Sequence, residues 1–433
     1  MKLILSIFEL QTFRNFITSD EGIFLRGLEA NFDVKILTSS SLAPTISKTL
    51  SSGPLFNPRI EIHIAPNMLP SSYSFRVLIS LLRWSTDSPS TLYSIRKSKE
   101  RFSLTIWMKI LYLKITSRFD SWKHFLRALF LLRVKLSRKI KKVVPLLPEG
   151  EVLFITSITN LVPESLIGAA YKLRGTMIVG TPRSWDNMHS HGTLPLVPDI
   201  FLCHSTYMEI TIKKIQAFKN CEVVKLVAPN YRHEIRSQIQ SRPPNSIKSV
   251  LYACMGTHLN PDEPYLIEFI TEYLAPSFPN INFYILQHPY FLNRYPSLTL
   301  PNITIKVFHH DETNLVEYYN FLASMDRVYG IGTSVILDSA FCQVNCKIIA
   351  FECIPQSYWK SAQRYLDTLS HSRDYIEASK LHKINSKAEF IEDIEHLSEL
   401  TDDFSLTSQF FGDESVDFTE SVVNLILKRR ERI

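Results

Sequence analysis

Glycine is scarce in this sequence, 12 among 433 residues. A chain so sparing places glycine where backbone geometry demands it, so the few that cluster carry meaning. No window approaches the roughly 18 uncharged apolar residues of a membrane-spanning helix. The six cysteines include no C-x-x-C pair and sit mostly in apolar runs, which argues against a disulfide frame or a zinc site. Reduced, buried thiols in a cytoplasmic protein are expected instead. Met1-Lys2 and the apolar run Leu3–Phe8 look like the start of a secretory leader, but Glu9 interrupts them and no small-residue cleavage pattern follows. The segment reads as a first buried strand. A Walker A loop, the Rossmann G-x-G-x-x-G spacing and any repeat at a solenoid period are also missing.

What is present is an ordinary folded composition, 45% hydrophobic and 21% charged, in a chain long enough for two domains. Short β-branched or aromatic runs alternate with helical patterns, the signature of parallel strands joined by crossovers. Strands are expected near 2–8, 33–38, 151–156, 175–179, 199–203 and 222–227, then near 248–254, 280–287, 302–307, 326–329 and 346–351. The polar stretch 229–248, with Pro243-Pro244, has linker composition. The expected organisation is α/β throughout: two Rossmann-like parallel-sheet domains, 1–228 and 249–412, facing across a cleft, with a closing helix at 413–433.

The net charge of +6 is unevenly spread. Fifteen lysines and arginines lie between Arg96 and Lys142 against only Glu100 and Asp120, so this segment carries +13 and the rest of the chain −7. It also holds Trp107, Phe119, Trp122, Phe125 and Phe130. Apolar and basic residues separate onto helical faces, which suits an anionic membrane surface. A packed helix with solvated lysines is the plain alternative. Nucleic-acid binding lacks any accompanying RNP, zinc-finger or helix-turn-helix signature.

Four stretches can carry chemistry. In Gly330-Ile331-Gly332-Thr333-Ser334 a strand exits into a helix, and glycines, hydroxyls and free N–H groups there suit a phosphate; simple capping is the alternative. His288-Pro289 ends the strand expected near 280–287, because proline cannot continue the ladder, and leaves the histidine at the carboxyl end. Gly256-Thr257-His258 leaves the first strand of the second half and leads to Asn260, a candidate helix cap. "TPRSWDNMHSHG", Thr181 to Gly192, packs Arg183, Trp185, Asp186, Asn187, His189 and His191 into one turn. Trp185 offers a stacking face for a sugar, and Asp186 can serve as a general base or merely orient Arg183.

The second half resembles the nucleotide-binding domain of GT-B type glycosyltransferases. "HP" at 288–289 and "ASMDRVYGIGTSVILDSAF" are similar to motifs of bacterial capsule and sialic-acid transferases and of CDP-glycerol glycerophosphotransferases. "RSWDNMHSHG" and "PDIFLCHSTYMEI" resemble stretches of bacterial surface-carbohydrate biosynthesis proteins, with weaker similarity at "RNF", Arg14 to Phe16. His191 stands where that group usually has lysine. The resemblance implies a transferase of surface polysaccharide synthesis, cytoplasmic or peripheral on the inner face of the plasma membrane. A nucleotide-sugar donor would bind through Gly256, Thr257, His258, His288, Gly332, Thr333, Ser334 and Asp338. A glycan or lipid-linked acceptor would bind through Arg14, Asn15, Arg183, Trp185, Asn187, His189 and His191. Asp186 and His288 would be catalytic, and no cofactor or metal is called for, in keeping with the lack of a D-x-D pair. Rival readings are glycerol phosphate transfer from CDP-glycerol, a non-hydrolysing UDP-sugar epimerase, and a catalytically silent membrane- or nucleic-acid-binding protein.

Overall fold

Strands that are apolar on both faces are stable only between two layers of helix, and that is how this chain is built. The structure, a computed structural model, describes residues 1–51, 60–66, 73–86, 91, 104–158, 162–182, 192–240, 247–256, 260–288, 300–309, 314–357, 361–368, 383–397 and 416–431. It divides into two compact units, Met1–His233 together with Ser408–Ile433, and Glu234–Thr407.

The first unit contains β1 (Lys2–Ile7), β2 (Asp33–Thr38), β3 (Glu61–Ile64), β4 (Val152–Ile155), β5 (Met177–Gly180), β6 (Ile200–Cys203) and β7 (Glu222–Lys225). They form one parallel sheet in the order β3-β2-β1-β4-β5-β6-β7. One core joins Leu153 and Ile178 of the sheet to Phe130 and Val134 of helix Asp120–Leu136, Leu166 and Ala170 of helix Val162–Lys172, and Met208 and Ile212 of helix Thr206–Ile215. Phe154 also meets an aromatic cluster in which Phe16, Phe24 and Phe418 have ring centroids 5.3 to 6.2 Å apart. Phe418 opens helix Phe418–Arg430, which Asp417 caps and which packs beside helix Ile23–Glu29. The chain therefore returns to the first unit after building the second.

The second unit contains β8 (Ser249–Ala253), β9 (Asn282–Gln287), β10 (Ile303–Val307), β11 (Arg327–Gly330), β12 (Asn345–Ile349) and β13 (Lys383–Ile384), parallel in the order β10-β9-β8-β11-β12-β13. Beneath it, Arg327, fully buried, pairs with Asp393 of helix Lys387–Glu395 at 2.5 Å, and the Tyr329 hydroxyl donates to the same carboxylate at 2.7 Å.

Every strand expected from the sequence is present, with ends shifted by at most two residues. Two were not anticipated, β3 and β13. The stretch 229–240 has linker composition, yet Pro229–Tyr231 forms a 3₁₀ turn with Tyr231 and Arg232 buried. All six cysteines are free. Burial pushes the thiols of Cys203 and Cys221 up to about 12 and that of Cys353 to about 11, which leaves them unreactive near neutrality. No helix among the described residues is long and apolar enough to cross a membrane.

Candidate functional site

In each sheet the strand order reverses once, between β1 and β4 and between β8 and β11. Such switch points are where open parallel sheets hold ligands, at the carboxyl ends of the strands.

In the second unit the register places Ala253 of β8 beside Leu286 of β9 and Gly330 of β11. Three neighbouring strands thus end together, and with a spacing of about 4.8 Å between strands their exits fit within roughly 10 Å. Half-buried His288 follows β9, buried Gly256 follows β8, and the turn Ile331–Ser334 follows β11. His288, Gly256, Gly332, Thr333 and Ser334 therefore share one edge. Gly256 has φ 91, the left-handed region that only glycine enters without strain. A Cβ on Gly330 would come within 2.9 Å of Thr333 Cγ2, so any larger residue there would push the Thr333 side chain aside. Ser334 is exposed, and Thr333 Oγ1 accepts from the Val335 amide at 3.3 Å. The helix begins at Val335, two residues later than expected. Asp338 accepts a hydrogen bond from the Tyr318 hydroxyl at 2.9 Å. Thr257 and His258 lie outside the described residues.

The loop after β8 is held by a carboxylate at the start of the helix that follows it. Glu263, fully buried, accepts from the amides of Met255 at 2.6 Å and Gly256 at 2.9 Å. Asp262 next to it accepts from the amides of Cys353 at 2.7 Å and Ile354 at 3.1 Å, fixing the loop after β12. Asn260 is not the cap: the helix starts at Glu263 after Asp262, neither the Asp262 nor the Asn260 side chain caps it, and Asn260 is buried. A carboxylate seven residues beyond a strand-exit glycine was the available signal.

In the first unit, Arg14 and Asn15 begin a π-turn, Arg14–Thr18, just after β1. Such turns recur at functional sites because they push side chains out of helical register. Both residues are buried, and the Asn15 carbonyl accepts from Ser19 Oγ at 2.8 Å and from the buried Arg232 at 3.3 Å. Arg14 Nε, Asn15 Oδ1, Ser6 Oγ, Thr38 Oγ1 and Ser157 Oγ are buried with no hydrogen-bond partner among the described residues. Ser6 and Thr38 lie at the carboxyl ends of β1 and β2 and Ser157 just beyond β4, so this polar set gathers at the switch point. Buried polar atoms without partners carry a free-energy cost, which a polar ligand relieves. The hydroxyls were not anticipated.

Arg183, Trp185, Asp186, Asn187, His189 and His191 lie outside the described residues, but both ends of their stretch are described. At the start, fully buried His204 meets Thr181 Oγ1 at 3.3 Å and the Pro182 carbonyl at 3.2 Å through Nε2. Desolvation drops its pKa to about 4, so it is neutral and works as a hydrogen-bonding peg. At the end, Gly192 has φ 71 and its carbonyl accepts from Gln216 Nε2 at 2.9 Å, while Arg127 donates to the Leu194 carbonyl at 2.9 Å. Arg127 comes from the basic segment, and burial lowers its pKa to about 10, which still leaves it charged at neutral pH. No group of three or more His, Cys, Asp or Glu that could hold a metal occurs among the described residues.

Two Rossmann-like α/β domains, each with one parallel sheet, give the chain a fold of the GT-B type. Among solved structures, the chain is similar to MnaA of S. aureus, solved with UDP, with a TM-score of 0.53 and 11% identity over 100% of this chain and 98% of that one. It is also similar to UDP-GlcNAc 2-epimerase of Neisseria meningitidis, solved with UDP-GlcNAc, at 0.52 and 10% over 99% and 100%, and to that of Methanocaldococcus jannaschii at 0.51 and 10% over 99% and 100%. At such identities the likeness is one of fold. No protein-family model matches the chain, and no curated protein matches it in sequence.

Proposed function

We propose that the chain is a sugar-nucleotide enzyme that moves a sugar from a nucleotide donor to a glycan or lipid-linked acceptor in surface polysaccharide synthesis. The observation that carries the donor half is the common edge of β9, β8 and β11, where His288, Gly256 and the Gly332–Ser334 turn meet at a switch point. Hydroxyls and turn amides there suit a diphosphate, and Asp338 is assigned to a ribose hydroxyl. Thr257 and His258, outside the described residues, are assigned to the same donor site. The acceptor half is assigned to the polar set around Arg14 and Asn15 and to Arg183, Trp185, Asn187, His189 and His191.

In this scheme an acceptor hydroxyl attacks the anomeric carbon and passes its proton to Asp186. The bond from that carbon to the diphosphate oxygen breaks, and its electron pair stays on the diphosphate. His288 donates a hydrogen bond to that leaving group, an interaction whose loss typically costs a factor of about 10² to 10³ in rate.

A second reading has a specific support: the structural neighbours named above are UDP-GlcNAc 2-epimerases or a UDP complex. An epimerase would use the same donor edge and no acceptor. Thermal unfolding with UDP, CDP, GDP and CMP tests the common part. One nucleotide at about 100 times its Kd should stabilise by about 2.7 kcal/mol, and His288→Ala should weaken it. Indifference to every nucleotide would remove both readings. Conversion of a UDP-sugar without acceptor would select the epimerase, and selective stabilisation by CMP, the nucleotide left when glycerol phosphate departs from CDP-glycerol, would point to glycerol phosphate transfer.

A further inference from the structure

Helix Asp120–Leu136 of the basic segment is apolar on both its inner and its outer side, and its inner side packs through Leu126, Phe130 and Val134. In helix Asp120–Leu136 the charged Lys123 and Arg127 point inward, where they donate to the carbonyls of Ile215, Leu194 and Gln216. The outward stripe is apolar at helical spacing: Phe125, Leu129, Leu132 and Leu136 are 54%, 37%, 49% and 57% exposed. The preceding helix Leu104–Thr116 also presents an apolar outer stripe. It packs inward through Ile106 and Leu113 and leaves Trp107, Met108, Leu111 and Ile115 at 41% to 54% exposure. The two helices join through Tyr112 and Trp122, whose Nε1 donates to the tyrosine hydroxyl at 2.7 Å. Around these stripes, Arg118, Lys135, Arg138, Lys141 and Lys142 are exposed. Asp120 is the sole acidic residue from 104 to 146, and Lys123 pairs with it at 3.0 Å.

We propose that the outer faces of helices Leu104–Thr116 and Asp120–Leu136 dock on an anionic lipid bilayer, lying in its interface with the apolar stripes in the acyl boundary and the basic residues at the headgroups. Charge complementarity selects this occupant. A second copy of the same face would bring two strongly positive surfaces together, and the stripes are largely aliphatic, which suits acyl chains better than base stacking. The proposal stands independently of the sugar-nucleotide reading.

The test uses the full chain with vesicles of phosphatidylcholine containing about 30% phosphatidylglycerol, and with phosphatidylcholine alone. Cosedimentation should occur with the anionic vesicles, fall as salt rises from about 0.1 to 0.5 M, and come with a blue shift of tryptophan emission as Trp107 leaves water. The pair Leu129→Ser, Leu132→Ser should weaken binding roughly tenfold or more. The triple Lys139→Gln, Lys141→Gln, Lys142→Gln should weaken it by about fivefold per charge and flatten the salt dependence. These positions are on the surface, and unchanged melting temperatures would show both variants folded. Equal binding to neutral vesicles, no binding, or binding unaffected by either variant would overturn the proposal. So would a dimer that the leucine variant dissociates, or preference for a single-stranded oligonucleotide over vesicles.

Discussion

Removing the Glu263 carboxylate tests whether the β8 loop is shaped by its own backbone or by the side chain beneath it. Glu263→Ala would strand two buried amides, those of Met255 and Gly256, now bonded at 2.6 and 2.9 Å. A buried donor left without a partner costs about 1 to 3 kcal/mol, so the pair amounts to about 2 to 6. Loss of an acidic residue from the first helical turn adds about 0.3 to 1, and release from burying a carboxylate subtracts a similar or somewhat larger amount. The net expectation is a destabilisation of about 3 kcal/mol. Glu263→Gln retains one acceptor oxygen and should lose about half as much. Urea unfolding followed by circular dichroism measures both, with calorimetry to separate the transitions of the two units. If nucleotide binding uses this loop, its affinity should fall in the same order, alanine below glutamine below wild type. An alanine variant within about 0.5 kcal/mol of wild type would refute the reasoning, because the amides would then have another acceptor.

Other expectations follow from single sites. His204 has a folded pKa of about 4, below its ordinary 6.5, so the unfolded chain takes up a proton first as pH falls. Stability should be full above pH 6.5 and decline by about 3 kcal/mol by pH 4; His204→Gln should flatten that slope in melts across the range. Asp393→Ala leaves the buried Arg327 guanidinium without its 2.5 Å partner and should cost about 3 to 5 kcal/mol, whereas Arg327→Met with Asp393→Leu should cost far less in calorimetry. Gly256→Ala forces an L side chain into φ 91 and should lose about 1 to 2 kcal/mol, read as a shift in the urea midpoint. Thr333→Val with Ser334→Ala should leave stability nearly unchanged and reduce nucleotide affinity by about tenfold in calorimetric titration.

The sheets were legible in the sequence because parallel strands covered on both faces are short uninterrupted apolar runs, as in Leu3–Ile7 and Val152–Ile155. β3, reading Glu-Ile-His-Ile, escaped notice because an edge strand exposes part of each face, and β13 escaped because it is two residues long. At the donor edge, proline after His288 and glycines after β8 and β11 marked where strands stop, which is local information. The register that brings those three exits together is not local, and neither is the inward turn of Glu263. Helix Asp120–Leu136 was legible as amphipathic, but the burial of Lys123 and Arg127 beside its apolar inner face was not, since they find their carbonyl partners about 70 to 90 residues away in sequence. The Trp185–Asp186 turn itself lies outside the described residues; what the structure adds there is the pair of anchors at its ends.

The return of the chain to its first unit has a consequence for synthesis. Phe16, Phe24 and Phe154 emerge from the ribosome long before Phe418, the fourth ring of their cluster. The second unit, whose residues are contiguous, can close while translation continues. The first must wait with an aromatic surface uncovered, so nascent chains halted near residue 400 should be the species that chaperones retain.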